Sequence, residues 1–202
     1  HKEVSVVIPG AINKNQVEYH EDLLKWKWYT NEFPTVVIFL YKSLYQSGNT
    51  ELATAIINIC NRYKLNPRII WITSLKSKDI QNKVIELLKN ERIEVILTTT
   101  SFSTIEYTKT DIQKNFWDIL NVPVYQLLIS SSSITELNKS SVGLNPIDLS
   151  IQVVLPEVDG RICTIPIAFK NISYIDNELS IAIYKTEPYL KNIDWCFKYI
   201  KN

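Results

Sequence analysis

Apolar positions fall into two rhythms along this chain. Thr35 to Leu40 is a near-continuous apolar run, the pattern of a strand buried on both faces of a parallel sheet. Arg68 to Thr73, Glu94 to Thr98 and Val124 to Ser130 read the same way. Between them the period lengthens to that of a helix. Thr50 to Lys64 carries Leu52, Ile56, Ile59, Cys60 and Tyr63 on one face, and Asp79 to Asn90 carries Ile80, Val84, Leu87 and Leu88. Strand and helix alternating at this spacing predict right-handed βαβ units, hence an α/β fold with an open, mostly parallel Rossmann/flavodoxin-like sheet in three layers.

The flanks are read more coarsely. Val4 to Ile8 is a short strand ending in Pro9-Gly10, and Glu21 to Tyr29 is a helix with Leu24 and Trp28 four residues apart. Lys42 to Asn49 is a loop, and Ile151 to Leu155 reads as the last buried strand, stopped by Pro156. Asn145-Pro146 is an N-cap with proline at the first helical position of a short helix. Cys163 to Phe169 and Leu179 to Tyr184 form a C-terminal extended pair around an Asp176-Asn177 turn. A helix from Tyr189 to Ile200, apolar at Leu190, Ile193, Phe197 and Ile200, closes the chain. This divides it into a lead-in (1–34), an α/β core (35–170) and a β extension with its helix (171–202).

Composition narrows the function classes. With 22 basic against 21 acidic residues and no long run of either, nothing supports nucleic-acid binding or a polybasic membrane patch. No apolar stretch approaches the roughly 20 residues of a spanning helix. Cys60, Cys163 and Cys196 show neither CxxC spacing nor an even count, which argues against a disulfide framework or a zinc site. Cys60 and Cys196 read as small core residues, and a reducing compartment is expected. The five tryptophans read as core or interface anchors. The chain has no methionine and begins in mid-flow at His1, so a piece of something longer is expected.

In such a sheet, loops at the carboxyl ends of the strands share one crevice. They carry Tyr41, Lys42, Ser43 and Asn49, then Thr73, Ser74 and Lys76, then Thr98 to Ser103, then Gln126 and Ser130 to Ser133, Ser132 among them. This hydroxyl-rich lip suits carboxylate or amide groups of a substrate better than tight transition-metal ligation. There is no GxxxxGK[ST], GxGxxG or GxSxG, so neither a nucleotide site nor a serine nucleophile has support. In Leu155-Pro156-Glu157-Val158-Asp159-Gly160-Arg161-Ile162, Gly160 supplies the positive φ of a sharp turn. Glu157 and Asp159 then reach the carboxyl end of the strand before them. Two acids at this spacing can hold a cation or accept protons; equally, they are turn-formers paired with Arg161.

That octapeptide, with its surroundings, resembles the large subunit of the ATP-dependent chelatases that insert a metal into a tetrapyrrole. The cobaltochelatase (CobN-type) branch looks closer than the magnesium branch. Further segments match in family order: Tyr41-Lys42-Ser43 with Gly48-Asn49-Thr50, Ile72-Thr73-Ser74-Leu75-Lys76, Thr98 to Phe102, Val122 to Gln126, Ser140 to Leu149 and Ala168-Phe169-Lys170. Lys42 stands where the cobalt branch commonly has arginine, and the tryptophan often found after the serine run is missing.

The resemblance implies a nitrogen–metal bond-forming ligase component. It would insert Co2+ into a corrin precursor of the hydrogenobyrinate a,c-diamide type in cobalamin biosynthesis. The alternatives are a magnesium chelatase H-type subunit taking Mg2+ to protoporphyrin IX, or a non-catalytic binding or scaffold module. ATP would be hydrolysed by AAA+ partner subunits, alongside an integrin-like subunit and the remainder of the large subunit. The compartment would be the cytoplasm, or else a plastid or other organelle stroma. Glu157 would accept pyrrole protons and hold the metal transiently, with Asp159 as second carboxylate. Tyr41, Lys42, Ser43, Asn49, Thr99, Gln126, Ser132 and Arg161 would meet the substrate.

Overall fold

A computed structural model describes residues 4–7 (backbone), 30–104, 115–141 and 143–201. Its seven strands form one sheet in the order β1-β3-β2-β4-β5-β6-β7. These are β1 (Val4–Val7), β2 (Thr35–Tyr41), β3 (Asn66–Ile72), β4 (Ile93–Thr98), β5 (Val124–Ser130), β6 (Ile162–Asp176) and β7 (Ile181–Pro188). Strands β3, β2, β4, β5 and β6 run parallel, while β1 and β7 add antiparallel edges. The parallel order is the flavodoxin-like one, whose switch point lies between the first and third parallel strands, here β2 and β4.

The runs buried on both faces became strands as expected. Every residue of β2 except Tyr41 is buried, as is every residue of β3. Pro67 lies inside β3 outside the described part of the β1 ladder, which pairs Val4 to Val7 with Ile69 to Ile72. Helix α2 (Glu51–Arg62) lays Leu52, Ile56, Ile59 and Cys60 on one face of the sheet, beside Ile193, Cys196 and Phe197 of the C-terminal helix α8 (Leu190–Lys201). Helix α3 (Lys78–Leu88) and the short α4 (Phe116–Leu120) cover the other face through Ile80, Val84, Phe116 and Trp117. Cys60 and Cys196 are core residues, as the sequence suggested.

Several expectations need correction. Lys42 to Asn49 is not all loop: α1 (Lys42–Gln46) occupies most of it, and Gly48 (φ +72°) makes the turn into α2. Leu190 belongs to α8 but is 60% exposed, at the first residue of the helix. The 170/171 boundary falls inside β6, and α8 shares the core of α2. The helix expected at Glu21 to Tyr29 and the strand end at Ile8 to Gly10 lie outside the described residues.

The largest correction concerns Ile151 to Leu155, which is helical. Helix α6 (Pro146–Leu149) runs through a wider π turn (Ser150–Val154) into α7 (Leu155–Val158). Pro156 has no N–H to return to Gln152, and the wide turn absorbs that missing bond. The helix then stops in a Schellman motif: Gly160 N donates to Glu157 O (2.9 Å) and Arg161 N to Pro156 O (3.2 Å), with Gly160 at φ +76°. The positive φ was anticipated; the helix it terminates was not.

Candidate functional site

Since α7 precedes β6, the acidic turn lies at the amino end of that strand and not at a carboxyl end. Ile162 pairs with Tyr125 near the start of β5. The sheet is staggered, however: Thr98, the last residue of β4, is level with Gln126. The turn therefore faces the loop that leaves β4, Thr99 to Thr104, and locks onto it.

The lock is a buried ion pair. Arg161 Nη2 and Asp159 Oδ2 are 2.6 Å apart, and both side chains are fully enclosed. Arg161 Nη1 donates to Thr100 O (2.7 Å) and Gln126 Oε1 (2.8 Å), and Nη2 also donates to Phe102 O (2.5 Å). Its guanidinium lies 5.1 Å from the Trp117 ring. Asp159 accepts from Thr104 N (2.7 Å), Thr104 Oγ1 (3.1 Å) and Trp117 Nε1 (3.4 Å), and from the Ser103 hydroxyl. Burial alone would raise the Asp159 carboxyl. The hydrogen bonds from Ser103, Arg161 and Thr104, with the Arg161 charge, outweigh it and hold the group below its ordinary value.

Asp159 is thus committed to the fold, and Arg161, 3% exposed, is not at a surface where a substrate acid could reach it. Glu157 is exposed on α7, and among the described residues no hydrogen bond or ion pair holds its carboxylate. The two carboxylates expected to act together are separated by environment. Nor do three His, Cys, Asp or Glu side chains converge anywhere among the described residues.

At the switch point Tyr41 spans the gap. Its hydroxyl accepts from Ser101 N (2.9 Å) and donates to Ser101 O (3.4 Å), tying the end of β2 to the β4 loop. Ser43 is exposed on α1, and Lys42 is buried. Thr99 is buried and spends its hydroxyl and N–H on Phe39 O. Gln126 is wholly buried beneath Arg161. Asn49, in the orientation its partners require, exchanges hydrogen bonds with the backbone of Thr186 (2.8 and 3.3 Å) and donates to Glu51 (3.1 Å). It latches α2 to β7. Of the expected contacts, Tyr41, Ser43, Asn49 and Ser132 are not buried, whereas Lys42, Thr99, Gln126 and Arg161 are.

A second buried acid, missed in the sequence, organises the serine run. Asp148 is 2% exposed; its Oδ2 accepts from Ser131 N (2.7 Å), Ser131 Oγ (3.1 Å), Ser130 Oγ (3.4 Å) and Asn145 Nδ2 (3.0 Å). Gln152 Nε2 reaches Asp148 Oδ1 (3.1 Å), while the rest of that amide pairs with both backbone groups of Ile129 where the β5–β6 register shifts. The signal was available: Asn145 caps α6, and an acid three residues later has capping-box spacing. Ser133 and Glu136 form a full capping box on α5 (Ile134–Lys139) in the same way. Asp148→Ala leaves buried donors at Ser130 and Gln152 unpaired. We expect a loss of about 2–3 kcal/mol in urea unfolding, with faster hydrogen exchange confined first to Ser130 to Ser133.

The family described as CobN/Magnesium Chelatase matches residues 4–202. The chain is 31% identical over 157 residues to the aerobic cobaltochelatase subunit CobN of Sinorhizobium sp, covering 78% of this chain and 12% of that protein. Its counterpart of the same name in Pseudomonas aeruginosa is 32% identical over 144 residues, 70% of this chain and 11% of that one. The chain thus spans about an eighth of the length of these relatives. The catalytic subunit of cobaltochelatase from Mycobacterium tuberculosis superposes with a TM-score of 0.64 over 80% of this chain and 14% of that one, at 19% identity, which speaks for the fold.

Proposed function

The chain belongs to the CobN/magnesium chelatase family, and from that premise we propose that it forms part of the tetrapyrrole-binding large subunit of a cobalt-inserting chelatase. The family match across 4–202 carries this reading. Cobalt is preferred to magnesium because the similar proteins bear the cobaltochelatase name. The fuller form of the proposal is insertion of Co2+ into a hydrogenobyrinate a,c-diamide-type corrin, driven by ATP hydrolysed on AAA+ and integrin-like partner subunits.

Insertion exchanges two pyrrole N–H protons for bonds to a divalent metal, so the site needs a proton acceptor and a wall for a flat ring. In this proposal the wall is the carboxyl-edge lip of Tyr41, Ser43, Ser101 to Ser103 and Ser132. Glu157 is the carboxylate of the acidic turn left to accept protons or hold the incoming metal through oxygen. Asp159 and Arg161 position the β4 loop. The remaining metal ligands would come from the rest of the large subunit.

Titrating the purified chain into hydrogenobyrinate a,c-diamide and into metal-free coproporphyrin tests the reading through their visible absorption bands. A saturable shift with either tetrapyrrole is the expected result. Unchanged spectra with both, at protein well above micromolar concentration, would instead assign the chain a scaffold role.

A further inference from the structure

Phe102 is the bulky residue of the β4 loop whose backbone takes the left-handed conformation, at φ +69°. A glycine would adopt that φ without steric cost; a phenylalanine does not, and such conformations persist only where surrounding structure enforces them. Here it is enforced from three sides. Arg161 Nη2 donates to Phe102 O (2.5 Å), Phe102 N donates to Ile151 O in the π turn (3.0 Å), and Ser101 N donates to the Tyr41 hydroxyl (2.9 Å). The consequence is an aromatic ring held 42% exposed beside the switch point, while its neighbours Thr98 to Thr100 are buried.

The loop after β3 brings a cation to the same ring. Lys76 Nζ lies 5.1 Å from the Phe102 centroid, and among the described residues no carboxylate pairs with it. Its loop is braced by Ser74 Oγ accepting from Lys76 N (3.1 Å). An enforced aromatic surface with an available ammonium at its edge matches a flat π-system bearing peripheral carboxylates.

We propose that Phe102 and Lys76 form a subsite for the rim of a carboxylated macrocycle, the ring stacking on Phe102 and a peripheral carboxylate meeting Lys76. This rests on the tetrapyrrole-binding reading above and adds the residues that grip the ligand. The buried Asp159–Arg161 pair then has a functional consequence: it holds the loop that displays the ring.

The same two tetrapyrroles test it on three variants. Phe102→Ala should weaken binding about five- to tenfold, since loss of an aromatic stacking partner is of that order, and Phe102→Trp should restore it. Lys76→Glu should weaken binding by a similar factor at low salt. That difference should shrink as salt rises, whereas the Phe102→Ala difference should persist. Parent-like affinity in both Phe102→Ala and Lys76→Glu, with the parent shift intact, overturns the subsite and leaves the tetrapyrrole reading standing. No shift in the parent removes both. Should Phe102→Ala unfold, the exposed Lys76→Glu variant and its salt dependence still decide the matter.

Discussion

Arg161→Ala should be among the most destabilising single substitutions in this chain, costing about 3–5 kcal/mol and lowering Tm by roughly 6–20 °C. The substitution removes the counter-charge of a fully enclosed Asp159 and strands three further acceptors, Thr100 O, Phe102 O and Gln126 Oε1. An uncompensated buried carboxylate is the expensive part. Arg161→Ala combined with Asp159→Asn should therefore be less destabilised than Arg161→Ala alone, although two groups are then altered. Urea unfolding of the single and double variants measures this directly, and strictly additive losses would count against the pair as the source. The pair also fixes a pH dependence. The folded Asp159 carboxyl lies below its unfolded value of about 3.9. Its contribution is complete above that value and disappears as pH falls through the folded one. In Asp159→Asn this acid-side loss should be missing from the stability profile.

Pairing with Arg161 was one of the two readings the sequence left open for these acids, and the structure bears it out for Asp159. Why its place and its other partners escaped sequence reasoning, while the sheet did not, has a physical explanation. β2 and β5 could be read to within a residue because a strand buried on both faces leaves a continuous apolar run, whatever it pairs with. The same local rule failed at Ile151 to Leu155, an equally apolar, β-branched stretch followed by proline. There the outcome is decided from outside the segment. The Gln152 side chain pairs with Ile129, 23 residues earlier, and the Schellman stop at Gly160 satisfies the last carbonyls. Once that stretch was misassigned, the acidic turn was placed at the wrong end of a strand. Its partners could not be seen either: Ser103 and Thr104 lie 56 and 55 positions from Asp159, and Thr100 lies 61 from Arg161. The loops of the crevice could be named from strand order alone. Which of their side chains face solvent is a matter of long-range hydrogen bonding, and it removed Thr99, Gln126 and Arg161 from the accessible set.

That sorting isolates Glu157, and the second large effect is expected there. On the proposed chelatase reading, in the assembled large subunit with its partners, Glu157→Gln should slow metal insertion by about 10²–10⁴-fold, the usual contribution of a positioned proton acceptor, while leaving tetrapyrrole affinity unchanged. The side chain is exposed and among the described residues holds no other group in place, so the amide should fold as well as the acid. A stability loss therefore cannot account for a loss of turnover, unlike the case of Asp159. Replacement by Asp, which keeps the charge but shortens the reach, should fall between. If Glu157→Gln turns over at the parent rate, the pyrrole protons leave through a base contributed by another part of the large subunit. The acidic turn would then act only through Asp159 and Arg161, by setting the position of the loop that carries Phe102.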